Sequence, residues 1–452
     1  MSTPPRPVSL PPLEAPAQVD QTHHNELRLP NGLRVIHVPR SDDSVRIGLY
    51  LAGGSLDDPS DRAGLTSFLA HVGLSAVPTQ KMAFAQEALA LGTRLVATSD
   101  NLLFGWQVRG TEGNASRLFA LLSRLVKRRS FDDSEIERLV QRAADELAAV
   151  TDPGVRQALA VAVSSALGHP TPRGLYGHAD QFRKLDATRV KDHWRQHVSP
   201  RNAVLVVHGG QETKDLANLI RRYFSNWKNT PSSSQSLRTC WPEQPTTHLI
   251  VDPSSNTKRV YTLVALRVPS LGEPGRKAIE LALNTLNRTP GGRLAKVLGN
   301  AKARDVSPHI VDLGWNSGEK GSVLLMRLSG PSRETLRALW DVMETLQDLG
   351  TRPPTLQEQQ TALRTLRESH SLMVSSDFNA LKAKARSSLY GLENFTANDF
   401  EEHVKAVFRR RNVSVIGVGP NPLGPVLSEL GQLTIWDSGG LILEGLNRPG
   451  CP

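Results

Sequence analysis

Residues 64–79 read GLTSFLAHVGLSAVPT, and their middle, Ser67-Phe68-Leu69-Ala70-His71, decides how the rest of the chain is read. The run predicts a helix over Asp61 to Val72, since apolar residues crowd it and no proline interrupts it. Its spacing is that of an inverted zinc-binding motif, H-x-x-E-H, in which two histidines one turn apart hold the metal and a glutamate activates its water. Here Ser67 stands for the first histidine and Ala70 for the glutamate. Only His71 remains, and one imidazole does not hold a catalytic zinc, which takes three protein ligands and an open position.

The chain has 452 residues, 39% of them hydrophobic, enough for a sizeable core divided between two or more domains. Nothing in it reads as a membrane span or an export signal, and prolines at 4, 5, 7, 11, 12 and 16 make residues 1–25 an extended arm without a fold. Cys240 and Cys451 supply neither a disulfide framework nor metal spacing, which suits the cytoplasm. The net charge of +10 arises from scattered arginines without a nucleic-acid motif. Its densest run, Arg124 to Arg129, reads as the solvated end of a helix.

In order, residues 26–38 read as strand, Asn31-Gly32 turn and strand, with a further strand at 46–52. Helices are expected at 81–91, 115–127, from an Asp133 or Ser134 cap to about 151, at 188–197 and up to Phe224. A hairpin turns around Ser99-Asp100-Asn101, and a strand runs over 203–210. His169, in a Gly/Pro-rich loop, reads as turn chemistry. Residues 229–242, NTPSSSQSLRTCWP, form a linker between units 26–228 and 243–420. The second unit offers strands at 248–252, 260–268, 310–315 and 323–329, a helix at 273–287 and long helices from Ser332. Residues 421–452 are a tail with a short strand at Leu433 to Trp436. Residues 187–207 and 397–417 share a helix, an Arg-Asn step and an apolar strand at an offset of 210, so the chain is built from two similar units.

The order Leu33-Arg34-Val35-Ile36, Gly54-Ser55, Gly64-Leu65, the helix, Leu91-Gly92-Thr93 and Asp100 resembles the M16 metallopeptidases, specifically the short-chain class with the mitochondrial processing peptidase subunits. The likeness covers most of residues 26–420. It implies an α+β fold of two tandem units, each a mostly antiparallel sheet with helices on one side. It also implies that Glu146, 75 residues after His71, occupies the third zinc-ligand position, and that Leu139 replaces a second glutamate. In the second unit, Gly292-Arg293-Leu294 matches the start of a substrate-binding segment, but Gly299 and Val306 stand where its Arg and Tyr belong. Arg304 is the available substitute.

By this resemblance the chain is a degenerate member, inactive on its own and without a complete zinc set. It would complete the peptide chamber of a heterodimer whose partner carries an intact H-x-x-E-H. Ser67 has no base or nucleophile-elbow context to replace the lost chemistry. Two other readings stand beside this one: a structural or peptide-holding protein, and a metallopeptidase with a recruited ligand set around His71 and Glu146.

Overall fold

The structure is a computed structural model that describes residues 25–444, apart from short gaps and the stretches 167–178, 231–245, 252–258, 269–281, 283–291, 313–321, 362–380 and 386–399. The N-terminal arm, most of the linker, both cysteines, His169 and, apart from Ala282, the helix expected at 273–287 lie outside the described residues.

The first sheet starts with the hairpin β1 (Asn25–Arg28) and β2 (Arg34–Val38). Gly32 takes φ 93° in its turn. The Asn31 amide donates to the carbonyls of Phe224 and Trp227, which fastens this turn to a helix almost two hundred residues away. Next come β3 (Ser44–Ala52), α1 (Leu65–Val72), α2 (Phe84–Ala90), β4 (Leu95–Ser99) and β5 (Leu103–Thr111). The helices α3 (Glu112–Lys127) and α4 (Asp133–Ala148) follow. Asp132 caps α4, not Asp133 or Ser134: only its carboxylate reaches the Ser134 and Glu135 N–H groups. The proline at 153 opens a further helix, α5 (Pro153–Ala166), where the sequence reading saw only a stop. The unit ends with α6 (Ala179–Phe182), α7 (Ala187–His197), β6 (Ala203–His208) and α8 (Thr213–Phe224). Its six strands lie in the order β1-β2-β6-β3-β5-β4, and only β2 and β6 pair in parallel.

The second sheet repeats this plan with β7 (Thr246–Val251), β8 (Arg259–Val268), β9 (Ser307–Asp312), β10 (Ser322–Pro331) and β11 (Val413–Gly419). Between them lie α9 (Arg293–Lys302), α10 (Ser332–Thr351) and α11 (Phe400–Val407). The last stretch is less of a tail than its composition implies. After α12 (Gly424–Ser428), β12 (Gln432–Asp437) runs parallel to β7, and β13 (Ile442–Glu444) closes a seven-stranded sheet. The 210-residue repeat is structural: 3-10 turns at Pro200–Asn202 and Arg410–Asn412 lead into β6 and β11. At corresponding places the amides of Asn202 and Asn412 donate to the carbonyls of His197 and Val407.

Each sheet buries its helix-covered face in its own core, around Leu49, Trp106, Phe119 and Leu205 in the first and Val264, Leu266, Leu339 and Val415 in the second. The opposite faces are covered too, by exchange. From the first half, α5 lays Ala158, Val161, Ala162 and Ala166 against Ile250, Leu263, Ala265 and Ile416 of the second sheet. From the second half, Leu381 and Ala385 pack on Ile36, Tyr50, Val204 and Val206 of the first sheet, beside an ion pair from Lys382 to Asp100. At about 25 cal/mol per Å² of apolar surface, such burial ties each half to the other.

Candidate functional site

The degenerate motif lies on α1, whose eight residues are buried apart from His71. A helix so short is not stable through its own hydrogen bonds, so its neighbours must hold it. At its start Gly64 takes φ 89°, and the fully buried Asp58 carboxylate accepts the N–H groups of Gly64 (2.8 Å) and Thr66 (2.9 Å) as well as the Thr66 hydroxyl. That hydroxyl proton is committed to Asp58, so the His193 Nε2, 3.1 Å from Thr66 Oγ1, must donate. The same ring lies 3.7 Å from Asp58, and its charge is decided by burial, not by this bond. Burial pushes its pKa down to about 3, helped by nearby His197 and Arg62, so at neutral pH His193 is uncharged and the approach to Asp58 is not an ion pair.

The other end is held by a cation. Arg128 donates to the Val72 carbonyl at 3.0 Å, with those of Gly73 and Ser75 at 3.5 Å. Its guanidinium lies 4.1 Å from the Phe131 ring centre and 5.8 Å from that of Trp194. Burial lowers its pKa to about 10, which leaves it charged at neutral pH. In between, the Trp106 indole N–H donates to the Ala70 carbonyl at 2.8 Å. Gly73 lets the indole in, since a Cβ there would lie 2.5 Å from the ring.

The motif positions are filled by this packing. Ala70 is fully buried, and Ser67 Oγ accepts from Ser99 Oγ at 2.9 Å. Of the α1 side chains His71 alone faces outward, its Nδ1–H donating to the Ser67 carbonyl at 3.0 Å. Glu146 sits on α4, which packs against α1, but its carboxylate is exposed and accepts from Arg142 Nε at 2.8 Å. Among the described residues no three of His, Cys, Asp and Glu gather as a metal site. With one outward imidazole and a neutral serine already bonded to another serine, this donor set does not fit a catalytic zinc.

In the second half, Arg293 opens α9 and is engaged within the fold. It forks onto Glu358 (3.0 Å and 3.0 Å), reaches Asp348 at 3.3 Å and donates to the Arg352 carbonyl. The fork holds the Glu358 pKa down at about 2. At Gly299 an added Cβ would meet nothing within 4 Å, whereas Val306 is buried in the second core. Arg304 lies outside the described residues. The sequence reading missed Asp58, Trp106, Arg128 and His193. Only proximity in the fold reveals them, because Asp58 lies too far before α1 to read as its cap.

Residues 34–172 match the family described as Insulinase (Peptidase family M16), and residues 184–366 match Peptidase M16 inactive domain. The chain belongs to the M16 peptidase family. It is 22% identical over 260 residues to the mitochondrial cytochrome b-c1 complex subunit 1 of Bos taurus, covering 56% of this chain and 53% of that one. The chain thus spans about half the length of that curated relative. To an uncharacterized zinc protease of Mycobacterium bovis it is 24% identical over 331 residues, covering 70% of this chain and 73% of the relative. The crystal structure of a protease from Helicobacter pylori superposes with a TM-score of 0.77 at 16% identity, covering 88% of this chain and 100% of that one, which shows a shared fold. No helix among the described residues is long and apolar enough to cross a membrane.

Proposed function

We propose that this chain is a non-catalytic M16 subunit that completes the peptide-binding chamber of a heteromeric zinc peptidase, its partner carrying the intact H-x-x-E-H. The observation that carries the reading is the filling of the motif: Ala70 is buried where the general base belongs, and Ser67 is bonded to Ser99 where the first ligand belongs. Loss of a general base alone typically costs about 10² to 10⁴ in rate. The zinc protease among its relatives supports a peptidase setting, and a chamber formed by sheet edges needs no metal in this chain. In this reading residues 26–228 and 243–420 are the two units, 229–242 joins them, His71 and Glu146 are relics, and the complex works in the cytoplasm.

The test is native capture of the tagged chain from its source cell at moderate salt. Near-stoichiometric recovery of an M16 chain with an intact motif, whose peptidase activity rises on reconstitution, is the expected result. A self-dimer alone would count against it. Stoichiometric zinc in the isolated chain, lost in His71→Ala, would replace it with a recruited-ligand enzyme. The likeness to a subunit of the b-c1 complex favours one other reading, a structural or peptide-holding subunit. Recovery in a stable assembly without peptidase activity distinguishes it.

A further inference from the structure

At the ends of α3 and α8 lies an open cleft of about 500 Å³ whose lining includes Arg124, Lys127, Arg128, Arg222, Asn226 and Phe84. The sequence presents Arg124 to Arg128 as an ordinary basic helix end; folding brings Arg222 alongside them. We infer that this cleft binds a small phosphate-bearing ligand.

Charge is the first argument. The cations in the lining number four, and Glu87, paired with Arg124, is the carboxylate that answers them. The C-terminal ends of α3 and α8 also border the cleft, each equivalent to roughly half a negative charge. Together with Glu87 they leave an excess of roughly two positive charges, the complement of a phosphate monoester or diphosphate.

Donor geometry is the second. The Tyr223 carbonyl accepts both Ser123 Oγ and Lys127 Nζ, which fixes the ammonium in place and leaves it two further N–H groups. Neither Lys127 nor Arg222 makes an ion pair among the described residues. Lys127 is half-buried, and desolvation lowers its pKa below the ordinary lysine value. A positioned, partly desolvated ammonium with unused donors gains more from an arriving anion than a solvated one does. Arg128 is occupied at the α1 carbonyls, so it contributes field while Lys127 and Arg222 supply contacts.

The volume is the third. It far exceeds one phosphate group and leaves room for an organic moiety, so inorganic diphosphate and a nucleoside diphosphate are the two probes.

Calorimetry on the full chain at physiological salt tests the site. Diphosphate is expected to bind with a millimolar or lower Kd, weakened about tenfold or more in Lys127→Ala/Arg222→Ala. The control Arg138→Ala/Arg142→Ala removes two exposed cations of α4 and is expected to bind as the wild type does. Arg222→Glu, at an exposed position, gives the same loss without touching the core. A nucleoside diphosphate binding more tightly than diphosphate, with the same loss in the double variant, identifies an organic phosphate as the ligand; equal affinities identify the phosphate chain alone. Absence of binding by folded protein at about 10 mM of either probe, or equal loss in the control, overturns the site.

Discussion

The two halves share the order of five strands and a helix, 3-10 turn and strand connection, yet they hold the residues singled out in the sequence in different ways. In the first half Ser67 and Ala70 of the degenerate motif are buried in the core, while His71 and Glu146 face solvent. In the second, Arg293 is locked in a part-buried ion-pair network with Glu358 and Asp348, while Gly299 faces open space. The difference teaches that a buried helix dictates the size and bonding of what fills it, whereas a position facing open space does not.

The largest contrast is in the cores. By strand register Trp106 corresponds to Met326, and both are buried. Trp106→Ala is expected to cost about 3–5 kcal/mol in chemical denaturation, since it opens a cavity and frees the Ala70 carbonyl. Met326→Ala removes packing alone and should fall at or below the lower end, about 2–3 kcal/mol. Equal costs would mean that the indole does not support the motif helix. Asp58→Ala should follow at about 2–4 kcal/mol, because it leaves the Gly64 and Thr66 donors buried without an acceptor. A loss under about 0.5 kcal/mol would show that α1 does not depend on its carboxylate cap.

Asn202→Ala and Asn412→Ala probe what the halves have in common. Each amide makes two bonds to backbone carbonyls, so each variant should lose about 1–2 kcal/mol, equal within about 0.5 kcal/mol. A wider gap would limit the repeat to its backbone.

Acid separates the halves again. The folded pKa of His193 lies below 6.5, so the stability from its neutral form is complete above pH 6.5 and fades as pH falls toward about 3. Glu358 is depressed from 4.5 to about 2, so its contribution is complete above pH 4.5 and fades between about 4.5 and 2. His193→Gln should flatten the upper part of the acid limb and Glu358→Gln the lower. The second effect is the smallest of the set, because the Glu358 side chain is one-third exposed and its pair is screened. A single unfolding curve recorded from pH 7 to 2 in each variant checks both.

Much of the fold was legible from local pattern. The Asn31-Gly32 turn, the antiparallel pair that ends at Ser99 and the apolar strand at Ala203 carry their geometry in adjacent residues, and the repeat made the second sheet foreseeable from the first. The α5 helix was not legible, because a small-residue helix with its proline at the start resembles a loop boundary until its seat is known. The motif helix could be placed, but its supports could not. Asp58, Trp106, Arg128 and His193 act through contacts that span up to 127 residues, and no spacing rule reaches that far.

The crossed packing of α5 has a consequence for synthesis. This helix leaves the ribosome with the first half, but its seat on the second sheet is not complete until β12, at residue 437, has followed. At roughly 5–20 residues per second its alanine and valine face waits for tens of seconds. The nascent chain therefore carries an unsatisfied apolar helix face through most of its own translation.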